Sequence, residues 1–150
     1  MKKLTTLLFF IISFTGFSQI LNPIKWEFGS EKISATEYNL VFVAKIETHW
    51  ALYSQFVEEG GPLPTIFSFE SGPNFDLIEN VTESESNKVT QHDPVFDMVV
   101  SKYYDKAIFK QRISVKSPEF NVDGNIDFMT CDDTKCTYLP DNPFTFNFAE

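Results

Sequence analysis

Short apolar runs divided by turn-forming stretches recur along this chain of 150 residues, and long helical periodicity is absent. From Leu40 to Ile46 the residues alternate with a period of two, which is typical of a strand, although both faces are rather apolar. Further strand-like runs lie at 66–69, 75–81, 107–115, 124–131 and 144–148, and turn-forming stretches include 58–64, 70–74 and 82–88. Many short strands without intervening helices predict an all-β chain, folded as an antiparallel β-sandwich.

The N-terminus has the composition of an export signal. A short basic segment, Met1–Lys3, precedes an uncharged apolar run, and Gly16 and Ser18 put small residues at positions −3 and −1 of a cut before Gln19. The apolar run of about 14 residues is shorter than the roughly 20 that a membrane-spanning helix needs. We therefore predict a cleaved signal peptide at 1–18 and one domain at 19–150. The mature chain would be periplasmic or secreted, without membrane insertion.

The charge of the chain argues against two classes of partner. Its net charge is −9, and removal of the signal peptide would take away Lys2 and Lys3 and make the chain more acidic. Binding to nucleic acid needs a basic face, and an anionic membrane surface also attracts basic segments. We expect neither partner, and the acidity itself indicates solubility without naming a function.

The two cysteines, Cys131 and Cys136, lie in the stretch "DFMTCDDTKCTYLP" at 127–140. Zinc is a poor match because a structural site needs four ligands, and His49 and His92 form no ligand-spaced pair with other residues. The histidines also have no serine or cysteine at the spacing of a nucleophilic motif, and no glycine-rich phosphate loop is present. We predict no metal and no bound cofactor.

A hairpin is the natural local structure around the cysteines. If 126–131 and 136–139 are its arms, 132–135 form a four-residue loop, and Cys131 and Cys136 face each other with Cα atoms about 4.5 to 5.5 Å apart. That distance suits a disulfide. Closing so small a loop stabilises the chain by only about 2 kcal/mol, so the bond is a candidate for an exchangeable one. At this point a structural and a redox-active disulfide both remain open.

The alternation of residues before Cys131 predicts where its side chain points. Ile126 and Phe128 share one face of the strand, and Met129 and Cys131 share the other. If the large apolar pair faces the sandwich interior, Cys131 faces outward, where a partner could reach it. Local charges have opposing effects, since two aspartates at 132–133 disfavour a thiolate and Lys135 favours one.

Two longer motifs together resemble a known family. "HWALYSQFVEEGGPLPTIFSFE" at 49–70 and "GNIDFMTCDDTKCTYLP" at 124–140 are similar to the N-terminal periplasmic domain of the thiol:disulfide interchange protein DsbD. Trp26 and the "GGPLPT" run at 60–65 also fit the pattern of that family. The resemblance extends over nearly the whole predicted mature chain. It implies an immunoglobulin-like β-sandwich in which Cys131 and Cys136 form a reversible disulfide.

The resemblance also implies the kind of partner. In the family the domain is reduced by the membrane-embedded and thioredoxin-like parts of DsbD and passes electrons to oxidised periplasmic proteins. The expected partners here are thioredoxin-like redox proteins, as electron donor and as oxidised acceptors. The chain would then be a component of a protein-disulfide reductase system, and we expect it to be a monomer. By analogy, Cys136 is the cysteine that forms the mixed disulfide.

Two aromatic residues are assigned by the same resemblance. A loop of the family domain folds over the disulfide and shields it with a phenylalanine until a partner binds. The matching region is 91–104, and Phe96 is the predicted shield, with a core position in a strand from Val95 to Val100 as the alternative. Tyr53 lies in the stretch that flanks the active site, and its alternative is an ordinary core tyrosine.

This chain departs from the family pattern in two places. The family commonly has leucine or tyrosine and two prolines after the second cysteine, whereas this chain reads Thr137-Tyr138-Leu139-Pro140. The sequence given ends at Glu150 without a membrane bundle or a thioredoxin-like CxxC domain, so both a piece of a longer protein and a stand-alone chain remain open. The alternative function is a secreted binding or scaffold module with a purely structural disulfide, because a fold does not fix a function.

Overall fold

A computed structural model describes residues 21–149 of the chain. The predicted signal peptide at 1–18 lies outside the described residues. The division of the chain at residue 18 therefore stays a prediction.

Ten strands and no helix make up residues 21–149, which confirms the all-β prediction. Their bounds are β1 Ile24–Lys32, β2 Glu37–Ile46, β3 Ala51–Tyr53, β4 Ile66–Phe69, β5 Phe75–Glu83, β6 Lys88–Asp93, β7 Met98–Tyr103, β8 Lys106–Val115, β9 Phe120–Cys131 and β10 Cys136–Phe148. Each predicted run falls within a strand. Four strands, β1, β3, β6 and β7, were not predicted from the sequence pattern.

The strands form two antiparallel sheets. The first sheet has the order β1-β2-β8-β5, and the second has the order β10-β9-β3-β7-β6, with β4 also paired to β9. Every strand pair is antiparallel. The predicted antiparallel architecture is therefore confirmed, with β6 at an edge of the second sheet.

An aromatic core fills the space between the sheets. On β2 the alternating residues Leu40, Phe42 and Ala44 are fully buried, as the period of two predicts. Trp26 packs edge-on against Phe128 of the opposite sheet, with ring centroids 5.6 Å apart. The main core thus depends on many aromatic contacts and contains neither cysteine.

A second, smaller apolar cluster lies on the outer face of the second sheet. We call it the outer cluster, and its members are Tyr53, Val57, Phe96, Met98, Val100, Met129 and Cys131. Strand alternation puts the members on strands opposite the main core, since the neighbouring Leu52, Tyr103 and Phe128 all belong to that core. The other two members, Val57 and Phe96, come from a loop and a turn that pack onto this face. The segment after β3 comes close to this face, because a Cβ at Gly61 would lie 2.8 Å from Met98 Sδ.

Candidate functional site

The β9–β10 hairpin places the two cysteines directly opposite each other. Cys131 pairs with Cys136 in the strand register, and a disulfide joins them across a Cα–Cα distance of 4.1 Å. The loop at 132–135 closes with a hydrogen bond from the Asp132 amide to the Lys135 carbonyl at 2.9 Å. Both the predicted hairpin and its four-residue loop are confirmed, while the Cα–Cα distance is shorter than the expected range of about 4.5 to 5.5 Å.

The side chain of Asp132 shapes this loop. Its Oδ1 accepts hydrogen bonds from the Thr134 amide at 2.7 Å and from the Lys135 amide at 2.8 Å. Hydrogen bonds from Thr134 and Lys135 lower the pKa of the Asp132 carboxyl below its ordinary value. Lys135 places its ammonium 5.6 Å from the centroid of the Trp50 ring. The turn is therefore held by hydrogen bonds to the Asp132 side chain and by the contact of Lys135 with Trp50.

The two cysteines differ in exposure. Cys131 is 7% exposed, whereas Cys136 is exposed. The sequence correctly placed Cys131 on the face away from the main core, but there the side chain is largely covered and not open to solvent as expected. The outer cluster covers Cys131, because chain segments far from it in sequence fold onto this face.

Phe96 belongs to the turn between β6 and β7, at residues 94–97. Its half-buried ring packs edge-on against the ring of Tyr53, with centroids 6.0 Å apart. The alternative of a strand from Val95 to Val100 is wrong for Phe96, since β7 begins only at Met98. Phe96 and Cys131 thus share the outer cluster, while a shielding role for Phe96 stays a prediction.

Tyr53 is 1% exposed and contacts the outer cluster, so it is not part of the main core. Its hydroxyl donates a hydrogen bond to Asp93 Oδ2 at 3.3 Å. Burial, with the Asp93 charge beside it, strongly raises the pKa of the Tyr53 hydroxyl, so this group stays protonated at neutral pH. The sequence therefore located Tyr53 near the cysteines, but its polar partner was not predicted.

Sequence reasoning missed Asp93 and Lys102, which form a buried ion pair next to Tyr53. Lys102 Nζ lies 2.9 Å from Asp93 Oδ2, and the two side chains are 11% and 3% exposed. Burial alone would raise the pKa of Asp93, but the hydrogen bonds from Lys102 and from the Val95 amide outweigh it and hold that pKa below its ordinary value. The available sequence signal is the dipeptide Asp93-Pro94, which is typical of the start of a turn.

A cleft of about 220 Å³ opens beside the disulfide. Its lining includes Cys131, Asp132, Tyr53 and the Asp93–Lys102 pair. Ala51, which pairs with Cys131 in the register, also lines the cleft and contributes only a methyl group. The cleft therefore gives access to one flank of the Cys131–Cys136 bond, and polar side chains surround it.

Within residues 21–149, no group of three or more histidine, cysteine, aspartate or glutamate side chains could hold a metal ion. In the same range, no helix is long and apolar enough to cross a membrane.

Comparisons with known proteins identify the fold. No family model matches the sequence, and no protein with a curated description matches it either. The structure is similar to the N-terminal periplasmic domain of ScsB from Proteus mirabilis, with a TM-score of 0.53 and 15% identity over 81% of this chain. It is also similar to the DsbD N-terminal domain of Neisseria meningitidis in its reduced form, with a TM-score of 0.51 and 12% identity over 85% of this chain.

The two solved structures differ in how much of them this chain spans. It covers 86% of the DsbD domain chain but only 44% of the ScsB domain chain, which is less than half of the length of that chain. The predicted resemblance to the DsbD N-terminal domain is thus confirmed as a likeness of fold. The chain has the immunoglobulin-like antiparallel β-sandwich that this resemblance implied.

Proposed function

We propose that this chain is a thiol–disulfide exchange domain that passes reducing equivalents between thioredoxin-like redox proteins. The observation that carries the proposal is the Cys131–Cys136 disulfide, held in a tight hairpin between one exposed and one covered cysteine. A likeness of fold to the N-terminal domains of DsbD and ScsB supports it. In this role the domain would act as a component of a protein-disulfide reductase system, with Cys131 and Cys136 as its reactive residues.

The exchange begins at the exposed sulfur. A thiolate of the donor attacks Cys136 Sγ, the bond to Cys131 breaks, and its electron pair leaves on Cys131 Sγ as a thiolate. The second donor thiolate then attacks the donor's own sulfur in the mixed disulfide and releases the Cys136 thiolate. The donor ends as a disulfide, and this chain ends with two cysteines that take up protons from water.

Delivery of the electrons follows the same chemistry in the opposite direction. The Cys136 thiolate attacks a disulfide of the acceptor and displaces one acceptor thiolate. The Cys131 thiolate then attacks Cys136 Sγ, re-forms the internal disulfide and releases the second acceptor sulfur. The acceptor is reduced to two thiols, and no bound cofactor takes part because the electrons travel on the sulfur atoms.

The small contribution of this bond to stability fits an exchangeable disulfide. A loop of this length is expected to stabilise the chain by only about 2 kcal/mol. The main core, which does not include the cysteines, can maintain the fold without that contribution. A bond retained for stability alone would be expected to close a longer loop.

We further propose that Phe96 shields the disulfide and that Tyr53 supports the Phe96 ring by packing against it. Both aromatic rings lie in the outer cluster with Cys131, and they contact each other. A partner would have to displace the turn at 94–97 to approach the bond from that side. The chain would work as a monomer in the periplasm or outside the cell, as residues 19–150 after removal of the signal peptide.

Trapping of mixed disulfides with a thioredoxin-like protein tests this proposal. Cys131→Ser keeps the attacking Cys136 but removes the thiol that resolves the mixed disulfide, so this variant should accumulate the complex. Cys136→Ser should trap far less, because its remaining thiol is covered. Non-reducing electrophoresis after incubation with the oxidised partner gives the yields.

Two outcomes of this trapping experiment would contradict different parts of the proposal. Equal trapping by both variants would contradict the assignment of roles to the two cysteines. No trapping by either variant, with both proteins folded, would contradict the exchange function and favour a scaffold with a structural disulfide.

A further inference from the structure

We propose that Asp93 is a positioning residue of the exchange, which holds the Phe96 turn closed over the disulfide through Lys102 and Tyr53. This inference rests on the proposed function, since the turn matters only if the disulfide reacts. It assigns a task to a buried ion pair that the exchange chemistry itself does not use.

Asp93 connects three parts of the second sheet. Its Oδ1 accepts a hydrogen bond from the Val95 amide inside the turn at 2.9 Å. Its Oδ2 accepts hydrogen bonds from Lys102 Nζ on β7 at 2.9 Å and from the Tyr53 hydroxyl on β3 at 3.3 Å. One carboxylate thus ties the turn to the two strands beneath it.

The buried position of this pair makes the connection strong. Asp93 is 2% exposed, and the side chain of Lys102 is 11% exposed. Removal of one charge from a buried pair leaves the other charge without compensation, which strongly destabilises the structure around it. Lys102 Nζ also lies 5.9 Å from the centroid of the Tyr53 ring, which adds a cation–π contact on the same side.

The turn itself has few other attachments. It joins an edge strand, β6, to β7, and β6 has no strand partner on its other side. Val95 is 67% exposed and the side chain of Asp97 is 94% exposed, so Phe96 supplies the apolar contact of the turn. Segments with few buried contacts open most readily. One further side-chain contact, from Asp97 Oδ1 to His92 Nε2 at 3.0 Å, lies at the exposed surface. The closed position of Phe96 therefore depends mainly on its own packing and on the buried bonds to Asp93.

The first test is the rate at which dithiothreitol reduces the disulfide. Asp93→Asn keeps the shape of the side chain but leaves Lys102 without a counter-charge, so the turn should open more often. We expect reduction to become on the order of tenfold faster. Lys102→Met should have a similar effect, and Lys102→Arg, which keeps the charge, should stay close to the original rate.

A matched control separates the turn from general destabilisation. Lys88 lies at the other end of β6, with its side chain 15% exposed and its Nζ 3.0 Å from Glu83 Oε1. Lys88→Met removes the same kind of cation from the same hairpin, far from Phe96 in the β6–β7 register. This variant should lower the melting temperature without changing the rate of reduction.

A double variant shows whether Asp93 acts through Phe96. In a Phe96→Ala background the shield is already absent, so Asp93→Asn should accelerate reduction no further. An undiminished Asp93→Asn effect in that background would overturn the proposal. So would a folded Asp93→Asn protein that is reduced at the original rate, or a Lys88→Met protein accelerated as much as Lys102→Met.

Two further measures keep the outcome decisive. If Asp93→Asn does not fold, Tyr53→Phe takes its place, because it removes one donor to Asp93 and keeps the ring that contacts Phe96. A severalfold acceleration is then expected, and an unchanged rate overturns the proposal. Failure of the exchange function is recognised separately, as a lack of trapping with a thioredoxin-like protein while dithiothreitol rates still respond to Asp93.

Discussion

The two sulfur atoms of the disulfide lie in different surroundings although their strands are neighbours. Cys136 is exposed at the start of β10, and Cys131 is covered at the end of β9 by side chains from β3, from β7 and from the Phe96 turn. In the proposed exchange the more accessible cysteine, Cys136, is attacked first, and removal of the cover would open Cys131 to attack as a second route of reduction. Residue-scale predictions therefore concern the side chains that cover Cys131.

Replacement of Phe96 by alanine tests the cover directly. Because Phe96 is half-buried on a turn, its loss should cost less than the roughly 3–5 kcal/mol expected for a fully buried phenylalanine. Reduction by dithiothreitol should become faster while the fold persists. Stopped-flow or quenched reduction assays, combined with thermal melts, measure both quantities in one variant.

Phe56→Ala is the matched control for this variant. Phe56 is 70% exposed and lies outside the outer cluster, so its replacement should change neither the rate nor the melting temperature appreciably. An ordinary core role for Phe96 would instead appear as a large loss of stability with unaltered thiol kinetics.

At the level of strands and loops, the site is formed by segments that are distant in the sequence and adjacent in the fold. The segment after β3 is fixed to β5 by Glu83, whose side chain accepts hydrogen bonds from Ser54 Oγ at 2.6 Å and from the Gln55 amide at 2.9 Å. Glu83 also lies 3.0 Å from Lys88 Nζ at the start of β6. This carboxylate therefore connects the two sheets next to the loop that covers the outer cluster.

The charge of Glu83 makes part of the stability dependent on pH. Burial raises its pKa, but hydrogen bonds from Ser54, Gln55 and Lys88 outweigh burial and hold that pKa below the ordinary value of 4.5. A carboxyl with a lowered pKa in the folded state contributes stability above pH 4.5, and the contribution disappears as the pH falls through the folded-state pKa.

Glu83→Gln should lower the free energy of unfolding by about 1–3 kcal/mol at pH 7, through lost hydrogen bonds to a charged acceptor. The difference from the original protein should shrink as the pH falls below 4.5. Urea unfolding at pH 7 and at pH 3 measures it. A difference that is the same at both pH values would contradict the lowered pKa of Glu83.

The sequence pattern predicted some strands and missed others. Strands with clear alternation, such as β2 and β8, were predicted because one face of each is buried in the main core. Edge strand β6 was missed because its residues Lys88–His92 are largely exposed and polar, so no apolar period marks them. The length of β10 was also missed, since Pro140 and Pro143 interrupt its pattern near a register shift between Leu139 and Asn142.

In the candidate site, too, features formed within one short stretch were predicted, and features that depend on residues distant in the sequence were not. The Cys131–Cys136 pairing was predictable from a hairpin contained in one short stretch. The cover over Cys131 was not, because it includes Val57 and Phe96, which join the outer cluster only through the tertiary fold. The Asp93–Lys102 pair likewise requires the β6–β7 register, which the sequence pattern did not reveal.

For the molecule as a whole, the fold and the disulfide are nearly independent of each other. The main core between the sheets contains fully buried Phe42, Phe109 and Phe128 and no cysteine. A stability of roughly 5–15 kcal/mol is usual for a domain of this kind, against about 2 kcal/mol from the disulfide. The proposed exchange, in which the domain alternates between two redox states, requires such independence.

Reduction should therefore leave the protein folded at 25 °C. We expect far-ultraviolet circular dichroism to be preserved in reductant and the melting temperature to fall by about 5–15 °C. The Cys131→Ser/Cys136→Ser double variant serves as the control without any disulfide. Complete unfolding on reduction would identify the bond as structural.

The redox equilibrium of Cys131–Cys136 in a series of glutathione ratios tests the central claim most directly. An exchangeable disulfide should have a reduction potential well above the region below about −300 mV that is typical of structural disulfides in secreted proteins. The fraction reduced at each ratio, read by thiol alkylation and mass spectrometry, gives this potential. We predict a value within the range that thioredoxin-like donors can reduce. A potential below about −300 mV, with no reduction by a thioredoxin-like donor, would contradict the exchange function and support a scaffold.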